Sequence, residues 1–373
     1  MIGSLMEKRL RLNRSGLIGF CVLLVAVGSA PAQTGKWKFL VYGDTRGNGV
    51  PINTNILREL AAATTNEMPA FVLVPGDLVE SGSLSSFQGW TNIMSPVYQA
   101  SIGVYPVMGN HDSGAVAAWK SIFGTQIPDN GPGAELDRTF FLVYSNALIL
   151  AFDNYAAAQP INLPWMNAVL ATNQQLHVFA MSHQPAFKAY HPDCLDDYLS
   201  TRNTFWNSLS NVQARAYFCG HDHFFDHLRA DDRDGDPDND VHQYIGGGGG
   251  APFYTTYAYD GPNSFWSPAK VTHDMTNGYV RVEIENCKVT MTYVHRTTPS
   301  NYVDTADVLS YTLQPRLSLS NAGGVLTLSW RGGGQLQVAS DPNGFFDEVP
   351  GAASPCVVTN LSSFQQFFRV RLP

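Results

Sequence analysis

Five short polar clusters along this chain carry the kinds of side chain that bind metal ions. They occupy residues 43–46 (GDTR), 76–77 (GD), 109–112 (GNHD), 182–185 (SHQP) and 220–223 (GHDH). Together they supply carboxylates, one amide oxygen and several imidazoles, which are ligands of hard-to-borderline divalent cations. A site that collects such groups can activate water for hydrolysis. The clusters therefore predict a metal centre with hydrolytic chemistry.

Nearly every cluster follows an apolar run that has the length of a β-strand. The runs cover residues 37–42, 70–75, 104–108, 177–181 and 214–219. Helical periodicity is found between them, at residues 53–63, 86–98, 163–170 and 202–211. Parallel strands covered by helices present their ligand groups where the strands end. With hairpins expected at 139–152 and 279–294, this order predicts an α/β fold with layered, mixed β-sheets flanked by helices.

The residue types also suggest individual roles. Asp77 is placed to bridge two cations, and Asn110 offers a neutral amide oxygen. The imidazoles of three histidines complete the expected ligand set: His183, His221 and His223. The last two are two positions apart, so on an extended segment both point to the same side. His111 is predicted to act as a cation or general acid beside the leaving oxygen, and Asp112 to orient its imidazole and hold it protonated.

The order of the clusters resembles the motif series of the calcineurin-like metallophosphoesterase superfamily, which includes the purple acid phosphatases. The resemblance covers about residues 37–294. It implies two metal ions, drawn from Fe, Mn and Zn, and attack on a phosphomonoester by a hydroxide bound to the dinuclear centre. The first metal would be bound by Asp44 and His223, with Asp77 as the bridge. The second metal would be bound by Asn110, His183 and His221. His111 would stabilise the transition state or protonate the leaving group.

The chain departs from this pattern at two positions. The family often has a histidine where this chain has Arg46, and the purple acid phosphatases have a tyrosine where it has Glu80. The first metal is therefore expected to lack one ligand, with Glu80 or a water filling the gap. Alternatively, Arg46 clamps the substrate phosphate, and Asn110 is a second predicted substrate contact. His191 and Lys188 are candidates for lining the substrate pocket.

Residues 1–32 have the layout of a secretory signal peptide. A basic start is followed by an apolar stretch at 17–27 and by small residues at 30–32. The apolar stretch is shorter than the roughly 20 residues that span a bilayer. Cleavage after Ala32 predicts a secreted or periplasmic protein without a stable membrane span, and attachment to the cell surface is left open. An uncleaved anchor is the alternative.

Charge narrows the range of partners. Residues 33–373 contain 19 Lys and Arg and 30 Asp and Glu, a formal charge of −11. Such an acidic chain argues against duplex nucleic acid as a partner, because no basic surface is evident that would release counterions. A small phosphorylated substrate remains compatible, since bound metal ions bring their own positive charge. The sequence leaves the oligomeric state open.

Two irregular segments follow the last cluster. The acidic stretch between Asp232 and Asp240 resembles a calcium loop of the DxDxDG kind, although a solvated acidic turn is the alternative. Five glycines at 246–250 predict either a loop at the rim of the site or a flexible connector.

The last part of the chain has a different character. The metallophosphoesterase-like region is predicted to span residues 33–314. Residues 315–373 lack histidine and predict a small all-β module of the β-sandwich kind, similar to modules appended to secreted bacterial proteins. Its Trp330, Phe345 and Phe346 are assigned to a core, with sugar stacking as the alternative. Two further functions stay open: a phosphodiesterase or nucleotide hydrolase using the same site, and a non-catalytic cell-surface protein that binds carbohydrate.

Overall fold

The computed structural model of the chain describes residues 35–156, 159–259, 261–262, 265–323, 325–358 and 366–371. The predicted signal peptide at 1–32 lies outside the described residues. Within those described ranges, no helix has both the length and the apolar character needed to cross a membrane.

The chain divides into two compact units. The larger consists of Gly35–Thr172 and His177–Leu313, and the smaller includes Asn173–Leu176 and Gln314–Pro373. The division after Leu313 lies one residue before the end of the region predicted as metallophosphoesterase-like.

The larger unit is built from strands and helices that alternate in its first part. Its strands are β1 Lys36–Val41, β2 Phe71–Val74, β3 Gly103–Pro106, β4 Phe140–Tyr144, β5 Ala147–Ala151, β6 His177–Met181, β7 Ala216–Cys219, β8 Phe225–Asp231, β9 Val241–Gly246, β10 Ser267–Asp274, β11 Gly278–Glu285, β12 Lys288–Thr298 and β13 Asn301–Thr312. Its helices are α1 Thr54–Glu67, α2 Leu84–Ile93, α3 Ser95–Gln99, α4 Val116–Phe123, α5 Leu163–Thr172 and α6 Leu199–Asn211. Short 3₁₀ turns lie at Ser113–Ala115, Gly133–Glu135, Leu195–Tyr198 and Pro237–Asn239.

These strands form two mixed sheets. The first is six-stranded with the order β13-β12-β11-β1-β2-β3, and the second is seven-stranded with the order β10-β8-β9-β7-β6-β5-β4. Strands β1, β2 and β3 are parallel, as are β5, β6, β7 and β9. The predicted fold class, mixed sheets flanked by helices, is confirmed. The two expected hairpins are present as β4–β5 and β11–β12.

Aromatic side chains join the two sheets in the core. The ring of Phe39 on β1 lies 5.3 Å from that of Phe179 on β6 and 6.0 Å from that of Phe218 on β7, both in edge-to-face geometry. Such pairs contribute beyond the apolar area that they bury. Because β1, β6 and β7 also end at the polar clusters, this core fixes the strands that position the clusters.

The helices cover the sheets with one apolar face each. In α1 the side chain of Asn53 caps the N-terminus by accepting a hydrogen bond from the Ile56 amide, and Ile56, Leu57 and Leu60 are buried. The single helix predicted at 86–98 is interrupted. It forms α2 and α3 instead, because Pro96 has no amide hydrogen and begins a new helix in its first turn.

The smaller unit is all-β. Its strands are β14 Ser318–Ala322, β15 Val325–Ser329, β16 Gln335–Ala339, β17 Asp347–Glu348, β18 Cys356–Val357 and β19 Phe367–Arg371. They form two three-stranded sheets, ordered β14-β15-β18 and β17-β16-β19. Trp330 packs with Leu328 and Leu336 in a small core, and the Arg369 guanidinium lies over the Phe346 ring. Phe345, by contrast, is 85% exposed, which contradicts its assignment to the core.

Buried His177, at the start of β6, leads to a prediction about acid stability. Its Nε2–H donates to the Asn286 carbonyl at 2.8 Å, and burial lowers its pKa to about 4. The unfolded chain binds this proton near pH 6.5, so the stability contribution is full above that pH and is lost as pH falls toward 4. Between pH 7 and pH 5 we expect wild type to lose about 2 kcal/mol more free energy of unfolding than His177→Gln. Urea unfolding at both pH values measures this, and equal losses would contradict it.

Candidate metal centre

The polar clusters converge at the carboxyl ends of strands from both sheets. Residues 43–46, 76–77 and 109–112 follow β1, β2 and β3, and residues 182–185 and 220–223 follow β6 and β7. The loops are hydrogen-bonded to one another: the Asp44 amide donates to the Gly76 carbonyl at 3.0 Å, and the Gly220 amide to the His183 carbonyl at 2.9 Å. Asp44, Asp77 and His221 all have positive φ, of 56°, 51° and 71°. Non-glycine residues rarely adopt this conformation, so the backbone is strained at these three site residues.

Two glycines are required by close approach. A Cβ atom at Gly109 would lie 2.1 Å from Asp77 Oδ1, and one at Gly220 would lie 2.2 Å from Asp44 Oδ2. Both distances are far below van der Waals contact. The glycines of the motifs therefore make room for the two carboxylates.

The side chains predicted to bind the second metal lie together. His183 Nε2 is 3.0 Å from Asn110 Oδ1 and 3.6 Å from Asp77 Oδ1. The His183 and His221 ring centroids are 5.0 Å apart. The sequence reasoning placed all four residues in one site, and the structure brings them together.

The protons on these histidines indicate that the site fits a cation. His183 donates through Nδ1–H to the Pro75 carbonyl at 2.8 Å, and burial lowers its pKa to about 4, so the ring is neutral at neutral pH. A neutral imidazole carries one proton, which leaves the Nε2 lone pair facing oxygen atoms of Asn110 and Asp77. The Nε2 atom of His221 is buried, and Asp193 Oδ1 lies 3.3 Å from it. A metal ion bound at His183 Nε2 would satisfy the lone pair of that ring.

Carboxylates are crowded at the same place. Ligand atoms of Asp44, Asp77 and His183 lie within 4.8 Å of one another, and all three residues are buried. Burial, and then the nearby Asp77 carboxylate, raise the pKa of Asp44 well above its usual range. Both Asp44 oxygens lie 3.1 Å from the His221 amide, which donates to them. A cation would relieve the repulsion between the two carboxylates.

His223 and Arg46 occupy the side predicted for the first metal. His223 donates through Nδ1–H to the Pro252 carbonyl at 2.9 Å, and its Nε2 is 3.7 Å from Asp44 Oδ1. Burial, and then Arg46, lower the His223 pKa to about 3. The Arg46 guanidinium forms an ion pair with Glu80 through Nη1. Its Nη2 lies 3.4 Å from His223 Nε2, and its Nε lies 3.4 Å from Asp77 Oδ2.

His111 and Asp112 are held differently from the prediction. Asp112 is buried, and its carboxylate accepts hydrogen bonds from the backbone amides of Leu78, Val79 and Gly109 at 3.0–3.3 Å. The His111 ring is instead fixed by its Nδ1–H, which donates to the Glu80 carbonyl at 2.7 Å. The prediction that Asp112 orients this imidazole is therefore wrong, and its carboxylate ties the second and third clusters together.

Two acidic residues at the site were missed from the sequence. Asp222, between the two motif histidines, accepts hydrogen bonds from the His191 amide at 3.1 Å and from His191 Nδ1–H at 2.7 Å. Asp193 Oδ1 is 3.3 Å from His221 Nε2, and ligand atoms of His191, Asp193 and His221 lie within 4.8 Å of one another. The position of Asp222 inside a motif was a usable signal, whereas Asp193 has no motif around it.

The two irregular segments have different surroundings. The glycine run is buried, and it is hydrogen-bonded to the first cluster through Gly43 N to Gly246 O at 2.9 Å and Gly249 N to Gly43 O at 3.0 Å. It is thus a packed part of the site and not a flexible connector. In the acidic stretch, carboxylate oxygens of Asp231, Asp232 and Asp240 lie within 4.8 Å of one another. The calcium loop remains a prediction.

Fold and site together define a metallophosphoesterase-type domain. The chain belongs to the calcineurin-like phosphoesterase family, whose sequence profile matches residues 38–225. This membership supports a hydrolase acting on phosphoesters, and the family implies a dinuclear metal centre. No curated protein matches the chain.

Solved structures show the same fold at low identity. The purple acid phosphatase PPD1 of yellow lupin (Lupinus luteus) is 14% identical, with 76% of this chain and 55% of that chain covered and a TM-score of 0.57. PhoD is 10% identical, with 87% of this chain and 74% of that chain covered and a TM-score of 0.52. GAP50, described as the anchor in the inner membrane complex of Plasmodium, is 13% identical, with 75% and 89% covered and a TM-score of 0.51. A purple acid phosphatase and a protein described as an anchor share the fold, so function has to be argued from the site.

Proposed function

We propose that this chain is an exported, metal-dependent phosphoesterase that hydrolyses small phosphomonoesters. One observation carries the proposal: the His183 ring has its proton on Nδ1, which donates to the Pro75 carbonyl, so its Nε2 lone pair faces Asn110 Oδ1 at 3.0 Å and Asp77 Oδ1 at 3.6 Å. Such a set of donors fits a metal ion, and a purely structural role does not account for it.

The metal ligands on the second side would be Asp77, Asn110, His183 and His221, and the ion would be Fe, Mn or Zn. When bound, it would neutralise phosphoryl charge and lower the pKa of a bound water, so that hydroxide is available near neutral pH. Asn110 would also contact a phosphoryl oxygen, in line with the contact expected from the sequence. The Asp44 carboxylate accepts a hydrogen bond from the His221 backbone amide, so Asp44 positions the His221 ligand.

His111 would supply the proton to the leaving group. Because Nδ1–H is bound to the Glu80 carbonyl, Nε2 is the nitrogen left for chemistry, and it lies 3.9 Å from Asp77 Oδ2. The side chain is 28% exposed, so it can meet a substrate from solvent. Protonated at Nε2, the ring donates to the departing oxygen and hands over its proton as the ester bond breaks.

Export is part of the same proposal and rests on the signal-peptide layout of residues 1–32. Mass spectrometry of the chain recovered outside the cytoplasm tests export. The expected mass is that of a chain beginning at Gln33, because cleavage would follow Ala32.

A substrate panel tests the activity. The full chain, loaded with Mn²⁺, Zn²⁺ or Fe²⁺, is assayed with p-nitrophenyl phosphate and with bis(p-nitrophenyl) phosphate, before and after EDTA. We expect turnover of the monoester to exceed that of the diester by at least about tenfold and to be lost with the metal. Preference for the diester would favour the phosphodiesterase alternative. No turnover of either ester by metal-loaded protein would leave the non-catalytic, carbohydrate-binding alternative.

A further inference from the structure

We propose that the Arg46–Glu80 ion pair takes the place of the first metal of the family, so that this site binds one metal ion per chain, on the side of His183 and His221. The inference concerns metal occupancy and does not depend on which ester is hydrolysed.

The two departures from the family pattern form one structural unit. Arg46 stands where the family often has a histidine ligand, and Glu80 stands where the purple acid phosphatases have a tyrosine. In the fold these two side chains form an ion pair with each other. The guanidinium is 12% exposed and also contacts the Gly47 carbonyl through Nη1 at 3.3 Å. At the two positions where the family can have metal ligands, this chain therefore has the Arg46 guanidinium and the Glu80 carboxylate that pairs with it.

The guanidinium lies beside two of the three groups predicted to bind the first metal, His223 and Asp77. His223 has its proton on Nδ1, bound to the Pro252 carbonyl, so Nε2 carries the only available lone pair of the ring. That lone pair faces Arg46 Nη2 at 3.4 Å, and Asp77 Oδ2 lies 3.4 Å from Arg46 Nε. One lone pair can bind an N–H group or a metal ion, but not both. Arginine stays charged at every physiological pH, so it does not give way by deprotonation.

The opposite side of the site has no such substitute. Among the described residues neither His183 Nε2 nor His221 Nε2 is paired with a lysine or arginine side chain, and Asn110 and Asp77 supply oxygens at 3.0 and 3.6 Å from His183 Nε2. Asp193 brings a further carboxylate oxygen to 3.3 Å from His221 Nε2. Arg46 thus brings a positive charge to the first side, whereas the donors on the second side have no lysine or arginine paired with them among the described residues.

Metal counting tests the inference. The full chain is stripped with EDTA, dialysed against increasing Mn²⁺, and analysed for bound Mn by elemental analysis and by electron paramagnetic resonance. We expect wild type to bind one equivalent with the six-line spectrum of an isolated ion, and any second equivalent at least about 100-fold more weakly. Arg46→His, which restores the family's ligand, is expected to bind two equivalents with the spectrum of a spin-coupled pair.

Controls make each outcome decisive. Arg58→His adds an imidazole to the exposed side of α1 and should leave the stoichiometry at one. Arg46→Ala covers the case in which Arg46→His does not fold, as judged by circular dichroism. Two equivalents in wild type with affinities within tenfold of each other would overturn the proposal, as would one equivalent in both folded Arg46 variants. Ester hydrolysis is assayed on the same samples, so an inactive wild type with one metal rejects the proposed function and leaves this inference standing.

Discussion

Replacing Asp77 by Asn is expected to lower kcat/KM for a phosphomonoester by more than about 1,000-fold, an effect as large as the loss of a principal electrostatic group from an active site. The substitution keeps the shape of the side chain, and its oxygen can still accept the His111 amide at 3.0 Å. The substitution removes the negative charge of the carboxylate that lies beside the proposed metal ligand, the proposed general acid and Arg46. Asp77 is 3.6 Å from His183 Nε2, 3.9 Å from His111 Nε2 and 3.4 Å from Arg46 Nε.

Metal content and turnover are measured on the same preparations of the Asp77 variant. Bound Mn²⁺ should fall together with activity, because the carboxylate is one of the proposed ligands. Asp137→Asn is the matched control: it removes a carboxylate from the ion pair with Lys120, outside the metal centre, and should keep near wild-type rates. If Asp77→Asn kept more than a tenth of wild-type activity, the assignment of Asp77 as a metal ligand would be wrong.

The location of the site could be predicted because it follows from strand topology. Parallel strands end at one edge of a sheet, and each polar cluster comes directly after an apolar run. The histidine and carboxylate ligands are therefore brought together by local sequence plus one general rule. Gly109 and Gly220, which lie within the motifs, leave space for the carboxylates of Asp77 and Asp44.

Other parts depend on contacts that no local pattern encodes. The departures at positions 46 and 80 were visible in the sequence, but the ion pair between them requires side chains 34 positions apart to meet. Asp112 was assigned to its neighbour His111, because adjacency in sequence suggested contact. In the fold its carboxylate reaches back to the amides of Leu78 and Val79 on the preceding cluster. Asp193 lies in a loop without a motif, and only the fold brings it to His221.

Replacing His111 by Ala is expected to lower kcat by about 100- to 10,000-fold for an alkyl phosphate, the usual contribution of a positioned general acid. The effect should be much smaller for p-nitrophenyl phosphate, because nitrophenolate is a weak base and leaves without a proton. The structure supports this role because the Glu80 carbonyl holds Nδ1 and leaves Nε2 3.9 Å from Asp77 Oδ2, at the edge of the site and open to solvent.

The ratio of the two losses separates an acid from a merely structural residue. A structural role would slow both substrates equally, since a displaced ligand affects every ester. His295→Ala is the matched control: it removes an imidazole that is paired with Asp274 at 3.1 Å, outside the polar clusters, and should change neither rate. Equal losses on the two esters in His111→Ala, with unchanged metal content, would show that His111 does not protonate the leaving group. A larger loss on the alkyl ester would show that His111 protonates the leaving group. The proton would come from Nε2, because Nδ1–H donates to the Glu80 carbonyl.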